Sequence, residues 1–218
     1  MKHLERELEA LKRKILDMGS LVEAALEAAV DALLQRSTSA AQAVVDGDSV
    51  IDAKEIEVEE ECLKILALHQ PVAQDLRFVV AVLKVNNDLE RMADLAQNIA
   101  QRTMALVPSQ DAAMPTELKE MTTQVRAMVS RSLDALVRLD SAAARDLLRA
   151  DESVDRLHEQ MYRWFQNQVV ASTDRVEAWI HLLSISRYLE RIADLSTNIA
   201  EDIIFTVEGE VVRHGWEE

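Results

Sequence analysis

A twelve-residue segment near the middle of the chain returns almost unchanged near its end. The segments Leu89–Ala100 and Leu189–Ala200 lie 100 residues apart and are identical at nine of their twelve positions. At an offset of 103, further matches pair Asp31, Ala32, Leu33, Ala40, Ala41, Asp48 and Asp52 with Asp134, Ala135, Leu136, Ala143, Ala144, Asp151 and Asp155. Chance does not produce this similarity, so the chain is built from two copies of one unit.

Apolar residues recur at steps of three and four over most of the chain, which is the spacing of amphipathic helices. The first such series is Leu4, Leu8, Leu11, Ile15, Met18, Val22, Leu26, Ala29 and Leu33. Only four glycines and three prolines occur in 218 residues, too few for the turns of a β-sandwich or barrel. The pattern predicts an all-α protein of two tandem three-helix bundles related by the duplication.

Breaks between the helices are predicted at residues that favour caps and turns. In the first half, Ser39 should open the second helix, and Asp46–Asp48 predicts a kink or short turn within it. Pro71 should end that helix at Gln70, because the residue before a proline is disfavoured in the helical conformation. The helices of the second half are predicted at about 116–139, 141–170 and 173–207.

The stretch between the two bundles contains two of the three prolines and has no periodic pattern, so it is predicted to be a linker. The expected organisation is residues 1–107 for the first bundle, 108–115 for the linker, 116–210 for the second bundle and 211–218 for a tail.

The chain carries 39 acidic against 24 basic residues, a formal charge of −15. A surface of this sign repels phosphate backbones, which argues against nucleic-acid binding. No apolar stretch is long enough to span a membrane or to act as a signal peptide. We therefore expect a cytoplasmic protein with no direct membrane insertion.

Each copy of the repeated segment carries polar residues along one side of its helix. They are Glu90, Asp94 and Asn98 in the first half and Glu190, Asp194 and Asn198 in the second. Residues four apart on a helix have Cβ atoms about 5–6 Å from each other, so two carboxylates at this spacing can share a cation but repel each other without one. The stripes therefore predict two metal sites of carboxylate and amide oxygens.

Two carboxylates do not complete a site, so further ligands are expected from the first two helices of each half. The candidates are Glu23, Asp31, Asp48 and Asp134. The alternative is a solvated helix face on which the acids form weak pairs with arginines three residues away, such as Asp94 with Arg91 or Asp194 with Arg191. Retention of the same residues in both halves favours the metal sites.

No Gly-rich phosphate loop, Gly-x-Ser-x-Gly elbow or His-Glu-x-x-His motif occurs in the sequence. A carboxylate-bridged di-iron enzyme would need Glu-x-x-His on two helices, and the nearest match is Asp155 with His158, which occurs once and with the wrong acid. The sequence therefore predicts a protein that is not an enzyme.

Three elements together resemble the PhoU family of phosphate-transport regulators. They are the repeated Leu-Glu-Arg-(Met/Ile)-Ala-Asp segment, the Gln70–Arg77 signature that enters the third helix, and Asp17-Met18-Gly19 in the first helix. The resemblance extends from about residue 3 to Glu210. The sequence departs from many family members at Ala93 and Ala193, where they carry glycine.

The resemblance implies a negative regulator of phosphate uptake and of phosphate-starvation signalling. Such a protein would be an adaptor between the ATPase of the phosphate ABC transporter and a sensor histidine kinase, located in the cytoplasm or at the inner face of the membrane. The resemblance also implies a homodimer and bound metal, most commonly iron or zinc, at Glu90 with Asp94 and at Glu190 with Asp194. The alternatives are a metal-dependent helical hydrolase or redox enzyme and a purely structural helical oligomer.

Overall fold

The computed structural model describes residues 2–106 and 113–212 and contains no β-strand in these ranges. Its helices are α1 (Lys2–Gln35), α2 (Thr38–His69), α3 (Ala73–Leu106), α4 (Thr116–Arg138), α5 (Ser141–Ala171) and α6 (Val176–Glu208). The all-α prediction and the order of three helices in each half are confirmed. Most of the predicted linker (108–115) and tail (211–218) lies outside the described residues.

Several predicted helix ends are confirmed by the backbone. Gln70 ends α2 in the left-handed conformation, with φ of 46°, directly before Pro71. Asp140 caps α5, and its carboxylate accepts a hydrogen bond from the amide of Ala143 at 3.0 Å. The cap of α2 is Ser37, whose hydroxyl oxygen accepts from the amide of Ala40 at 3.2 Å. The prediction of Ser39 is wrong by two residues, because left-handed Arg36 completes the turn just before Ser37.

The predicted short turn at Asp46–Asp48 is also wrong, because α2 runs through these residues without a break. Glycine within a helix costs about 1 kcal/mol relative to alanine. Burial of Ala41 and Ile51 on either side of Gly47 offsets that preference. A Cβ atom built on Gly47 would meet no atom within 4 Å, so close packing does not require glycine here.

The two halves share one hydrophobic core. Within each half the three helices pack on one another, and between the halves α3 packs along α6 and α1 crosses α4. Lys84 on α3 pairs with the buried carboxylate of Asp202 on α6 at 2.8 Å. At the crossing of α1 and α4, a Cβ atom on buried Gly19 would lie 2.6 Å from Cδ2 of Leu133. The glycine therefore allows the close approach of the two halves.

Three further side chains lie within the hydrophobic core or pack against it. The rings of Trp164 and Trp179 meet edge to face with centroids 6.5 Å apart. Cys62 is buried, and burial, together with neighbouring acids, raises the pKa of its thiol to about 12, so it stays protonated. Among the described residues, no helix has a long enough run of apolar residues to span a membrane.

Candidate metal centres

The repeated segments lie on α3 and α6, where buried residues fix the rotation of each helix. On α3, Leu89, Met92 and Ile99 are fully or almost fully buried. The opposite side of the helix carries Glu90 and Asp94, which interact with acidic residues of α2. The helical spacing of the apolar residues thus turns the acidic stripe of α3 toward its neighbouring helix.

The first acidic cluster consists of Asp48, Asp52 and Glu55 from α2 with Glu90 and Asp94 from α3. Burial raises the pKa of Glu90, and the charges of the other four carboxylates raise it further. The pKa values of Asp48 and Glu55 are raised in the same way, first by burial and then by acidic neighbours. These shifts indicate that acids from two helices repel one another in one place.

Two amide side chains of α3 donate hydrogen bonds to α2 at the first cluster. Gln97 donates a hydrogen bond from Nε2 to Oδ2 of Asp48 at 2.6 Å. Buried Asn86 donates from Nδ2 to the backbone carbonyl of Glu55 at 2.9 Å. The two contacts hold α2 against α3 at this level of the bundle and leave the carboxylate of Glu55 available to the cluster.

The second acidic cluster consists of Asp151 and Asp155 from α5 with Glu190 and Asp194 from α6. Burial and the charges of Asp155, Asp194 and Glu190 raise the pKa of Asp151 to about 7. Burial, Glu190 and Asp155 raise the pKa of Asp194 to about 6, although part of its side chain is exposed. The electrostatic repulsion in this cluster favours a bound proton or a bound cation.

Asp151 is the member of the second cluster whose hydrogen bonding is incomplete. Its Oδ1 atom is buried and has no hydrogen-bond partner among the described residues, and buried polar atoms rarely remain unpaired. Carboxylate oxygens are ligands for iron, manganese and zinc. In the described ranges, no group of three or more His, Cys, Asp or Glu side chains is arranged so that it could hold a metal ion. Binding would therefore require rotation of the carboxylates toward a common centre.

The structure separates the predicted amide ligand Asn198 from the predicted carboxylate ligands. Glu90, Asp94, Glu190 and Asp194 lie in the two clusters. Asn198 instead lines a cleft of about 560 Å³ between α3 and α6, beside Lys84 and Asp202. Asn198 follows Glu190 by eight residues, so its side chain is rotated by about 80° around the helix axis from that of Glu190. This rotation accounts for the position of Asn198. The structure does not bring Asn198 into the second cluster.

In the first half, the amide that bonds to a carboxylate of the cluster belongs to Gln97, next to the predicted ligand Asn98, which is half-buried. Of the additional candidates, Asp48 lies in the first cluster. Asp31 pairs with Arg126 of α4 at 3.2 Å instead, and Asp134 is exposed on α4. Glu23 is half-buried on α1.

The alternative of a solvated face predicts ion pairs between these acids and arginines one turn away. In the part of the chain that the structure describes, the ion pairs within one helix all lie on α2 and α5. Arg187 and Arg191 do lower the pKa of Glu190, but burial and Asp155 raise it overall. Burial and neighbouring acids thus outweigh the arginines at Glu190 and Asp194 of α6, and burial and acids alone act on Glu90 of α3.

Four members of the clusters were not predicted as ligands from the sequence, namely Asp52, Glu55, Asp151 and Asp155. A signal for three of them was present in the repeat. The offset of 103 pairs Asp48 and Asp52 with Asp151 and Asp155, so a pair of acids four residues apart occurs on the second helix of each half.

The chain thus contains two copies of a three-helix unit, and each copy has an acidic cluster between its second and third helices. The family model of the PhoU domain matches twice, over residues 15–103 and 118–203. The chain belongs to the PhoU family. This confirms the family predicted from the repeated segment, the Gln70–Arg77 signature and Asp17-Met18-Gly19.

Relatives of this PhoU-family chain match it over almost its whole length. It is 35% identical over 211 residues to the phosphate-specific transport system accessory protein PhoU homolog of Aquifex aeolicus, covering 97% of this chain and 96% of the relative. It is also 35% identical over 209 residues to the protein of the same name from Pseudomonas aeruginosa, covering 95% and 86%.

Solved PhoU structures have the same fold. The crystal structure of PhoU from Pseudomonas aeruginosa superposes with a TM-score of 0.90 at 34% identity, covering 94% of this chain and 99% of that one. The phosphate transport system regulatory protein PhoU from Streptococcus pneumoniae gives a TM-score of 0.90 at 26% identity, covering 96% and 99%. These relatives are named as accessory or regulatory proteins, which agrees with the prediction that this PhoU-family chain is not an enzyme.

Proposed function

We propose that this protein is an accessory regulator of phosphate transport that reduces phosphate uptake and phosphate-starvation signalling when phosphate is plentiful. The observation that carries the proposal is the match of both halves, at 35% identity over 97% of the chain, to a protein named for the phosphate-specific transport system. The match spans almost the whole chain, so the proposal concerns the whole molecule rather than one domain.

The proposed mode of action is that of an adaptor between the ATPase of the phosphate ABC transporter and a sensor histidine kinase. The net charge of −15 favours partners that present basic surfaces. Apolar residues on α2 remain exposed, including Ile56, Leu63 and Leu68 at 52%, 54% and 67%, and they provide surface for a protein partner or for the proposed homodimer. The protein would act at the inner face of the membrane by binding the transporter, without inserting itself.

We further propose that each acidic cluster holds iron or zinc. In the first half the ligands would be Glu90 and Asp94 with Asp48 and Asp52. In the second half the corresponding residues are Glu190, Asp194, Asp151 and Asp155. A bound cation would neutralise the carboxylates and link the second helix of each half to the third.

Metal binding of this kind stabilises the folded state by mass action, because the unfolded chain has no assembled site. It also provides a route for phosphate, which is a poor ligand for a bare acidic surface. Any phosphate that binds here would bind through the metal.

A reporter experiment tests the adaptor role. The gene is deleted in its own host, and the wild-type chain or a variant is restored while a phosphate-starvation reporter is measured in high phosphate. The wild-type chain should repress the reporter and co-purify with the transporter ATPase. The variant with Asp48, Asp94, Asp151 and Asp194 all changed to Asn should repress it less.

The matched control carries Glu60→Gln and Glu152→Gln, which remove exposed charges outside the clusters. This control should behave as the wild type. A deletion strain whose reporter and phosphate uptake equal those of the parent in high phosphate would overturn the proposed regulatory role.

A further inference from the structure

A groove runs along the seam between α1 and α2 in the first half. Its first section has a volume of about 260 Å³, and its walls are mostly small apolar residues, such as Ala25 of α1 and Ala43 of α2. A second section of about 550 Å³ continues from the first, and Leu21 and Val50 line both. The two sections together are called the α1–α2 groove below.

Small residues leave the space between the two helices open. Alanine and glycine recur at the spacing of one helix face on both walls, namely Ala24, Ala25, Ala28, Ala40, Ala43 and Gly47. At the junction of the two sections, the side chain of Val50 is 57% exposed. Apolar surface that is both concave and open to water is characteristic of binding sites.

The second half fills the equivalent space. At the offset of 103, Ala25 corresponds to Met128 and Val50 to Ser153. Met128 is buried, and the hydroxyl group of Ser153 donates a hydrogen bond from α5 to Oε1 of Gln124 on α4 at 2.5 Å. A larger apolar side chain and a hydrogen bond thus join α4 to α5 where α1 and α2 leave a groove.

The size of the first section indicates what it can hold. A cavity of roughly 150 Å³ in a protein core is large enough for a molecule of benzene. A volume of about 260 Å³ therefore accepts one large aliphatic or aromatic side chain. In the second half, the apolar chain of Met128 has this role. In the first half, an equivalent side chain has to come from outside the bundle.

The groove has the length of a helix rather than of a single side chain. Its lining residues on α2 extend from Ala40 to Glu57, which is about 26 Å at 1.5 Å per residue. An amphipathic helix that lies between two others packs its apolar residues into a groove of this kind. A partner helix of about five turns would match this length.

Acidic side chains outnumber basic ones along the groove. Asp17, Asp48 and Glu57 line it together with Lys54. Lys54 is shared between Glu57 at 2.9 Å and Asp17 at 3.7 Å, and Glu57 also pairs with Lys14 at 3.1 Å. The basic residues therefore lie beside the second section, and the first section is the more negative of the two.

Asp46 adds to the negative charge of the first section. It lies one turn from Val50, is exposed, and accepts a hydrogen bond from the neutral amide of Gln42 at 2.8 Å. A neutral amide, that of Gln97, also holds Asp48. Asp46 is not among the proposed metal ligands, so its charge remains in metal-bound protein. These charges favour a partner with Lys or Arg beside its apolar side chain.

We propose that the α1–α2 groove binds an amphipathic helix of a partner protein, which places one large apolar side chain beside Ala25 and Ala43 and a Lys or Arg beside Asp46. The partner is one of the two in the proposed adaptor role, on which this inference rests. The second half does not bind the same helix, because Met128 takes up the equivalent space.

Replacing groove residues by those of the second half tests the inference. The variant Ala25→Met with Ala28→Arg fills the groove with side chains that the same fold carries at the equivalent positions of α4. It should lose at least roughly 30-fold in affinity for the purified transporter ATPase or for the purified cytoplasmic part of the sensor kinase, measured by calorimetry with full-length protein. The matched control, Ala127→Met with Ala142→Arg, adds the same side chains at exposed positions of the second half and should bind as the wild type.

Reversal of one charge tests the basic character of the partner helix. Asp46→Lys should weaken binding, and more strongly at low salt than at high salt. Glu159→Lys reverses an exposed charge on α5 and should leave the affinity unchanged. Equal effects of the two variants would contradict a basic residue beside Asp46.

Photochemical crosslinking identifies the segment that occupies the groove. Benzoylphenylalanine is placed at Ala53, which is exposed and lines the second section, and the complex with the binding partner is irradiated. The crosslinked peptide should come from a helix that carries a large apolar residue within one turn of Lys or Arg. The same group at Arg156, the equivalent position of α5, should not crosslink.

The outcomes separate the groove from the adaptor role. If neither the ATPase nor the kinase binds the wild-type chain, the adaptor role is wrong and the groove inference falls with it. If one of them binds, and the variant Ala25→Met with Ala28→Arg binds equally well with normal circular dichroism, the groove inference alone is overturned. A crosslink from position 53 to a second copy of this chain, or to an irregular segment of the partner, would also overturn it.

Discussion

The aspartates Asp48 and Asp151 occupy equivalent positions in the two acidic clusters, but only Asp48 has a hydrogen-bond donor from the third helix of its half within the described ranges. That donor is Gln97. Its counterpart at the offset of 100 is Thr197, whose shorter side chain donates instead to the backbone carbonyl of Asp194 at 2.7 Å. Oδ1 of Asp151 remains buried and unpaired within the described structure. One substitution between the copies thus makes the second cluster more dependent on a proton or a cation.

The largest expected effect is a loss of metal affinity when the two carboxylates of α5 in the second cluster are neutralised. The variant Asp151→Asn with Asp155→Asn should lose at least about 100-fold in Zn²⁺ affinity at one site, because two anionic ligands become neutral. The equivalent variant, Asp48→Asn with Asp52→Asn, should affect the other site. Competition with a chelating dye measures both, and loss of both sites in either variant would contradict two separate centres.

A second prediction concerns Gly19, whose counterpart in the other half is Thr122. Gly19→Thr should lower the free energy of unfolding by about 2–3 kcal/mol, because the new Cβ atom would meet Leu133 on α4. Gly47→Ala introduces the residue of the second half, Ala150, at an open position. It should be neutral or stabilise by up to about 1 kcal/mol. Urea denaturation compares them, and equal effects would contradict the close approach at Gly19.

The raised pKa of Asp151 predicts a pH dependence in metal-free protein. A folded-state pKa of about 7, against an ordinary value of 3.8 for an aspartate, means that the folded chain binds more protons than the unfolded chain between these values. Stability should therefore fall as the pH rises from about 4 to 7. Asp151→Asn should reduce that fall by roughly 1–3 kcal/mol. Denaturation at pH 5 and pH 8 measures it, and parallel curves for variant and wild type would contradict the assignment.

The smallest effect should come from making position 197 resemble position 97. Thr197→Gln introduces an amide long enough to donate to Asp151, as Gln97 does to Asp48. A new hydrogen bond to a carboxylate should stabilise the metal-free protein at pH 8 by about 1 kcal/mol and lower the pKa of Asp151. Gln97→Thr is the converse change and should destabilise the first cluster, and stability losses in both exchanges would contradict this explanation.

The fold was largely predictable because local signals and periodicity agree. The proline after Gln70 and the predicted break between residues 139 and 141 mark real helix ends, and the apolar series of α1 matches its buried face. The turn signal at Gly47 misled because burial of Ala41 and Ile51 outweighs the preference of one glycine. Tertiary packing decides such positions, and the sequence of one helix does not display it.

The candidate site was predictable on α3 and α6, but on α2 and α5 only Asp48 was predicted. The acids of α3 stand out because a dense apolar stripe fixes the rotation of that helix. α2 buries only Ala41, Ile51, Val58, Cys62 and Ile65, and it is polar over most of its surface. Which of its many acids face α3 therefore depends on how the helices dock. Only the repeat distinguishes Asp48 and Asp52 from their neighbours.

The helices α3 and α6, which carry the two clusters, also pack along each other through the shared core. Each of them completes its own bundle and at the same time covers an apolar face of the other. The two halves cannot separate without exposing these apolar faces to water, which is strongly unfavourable. The chain should therefore unfold in a single cooperative transition, and a fragment that ends between α3 and α4 should be prone to aggregate or to pair with a second copy of itself.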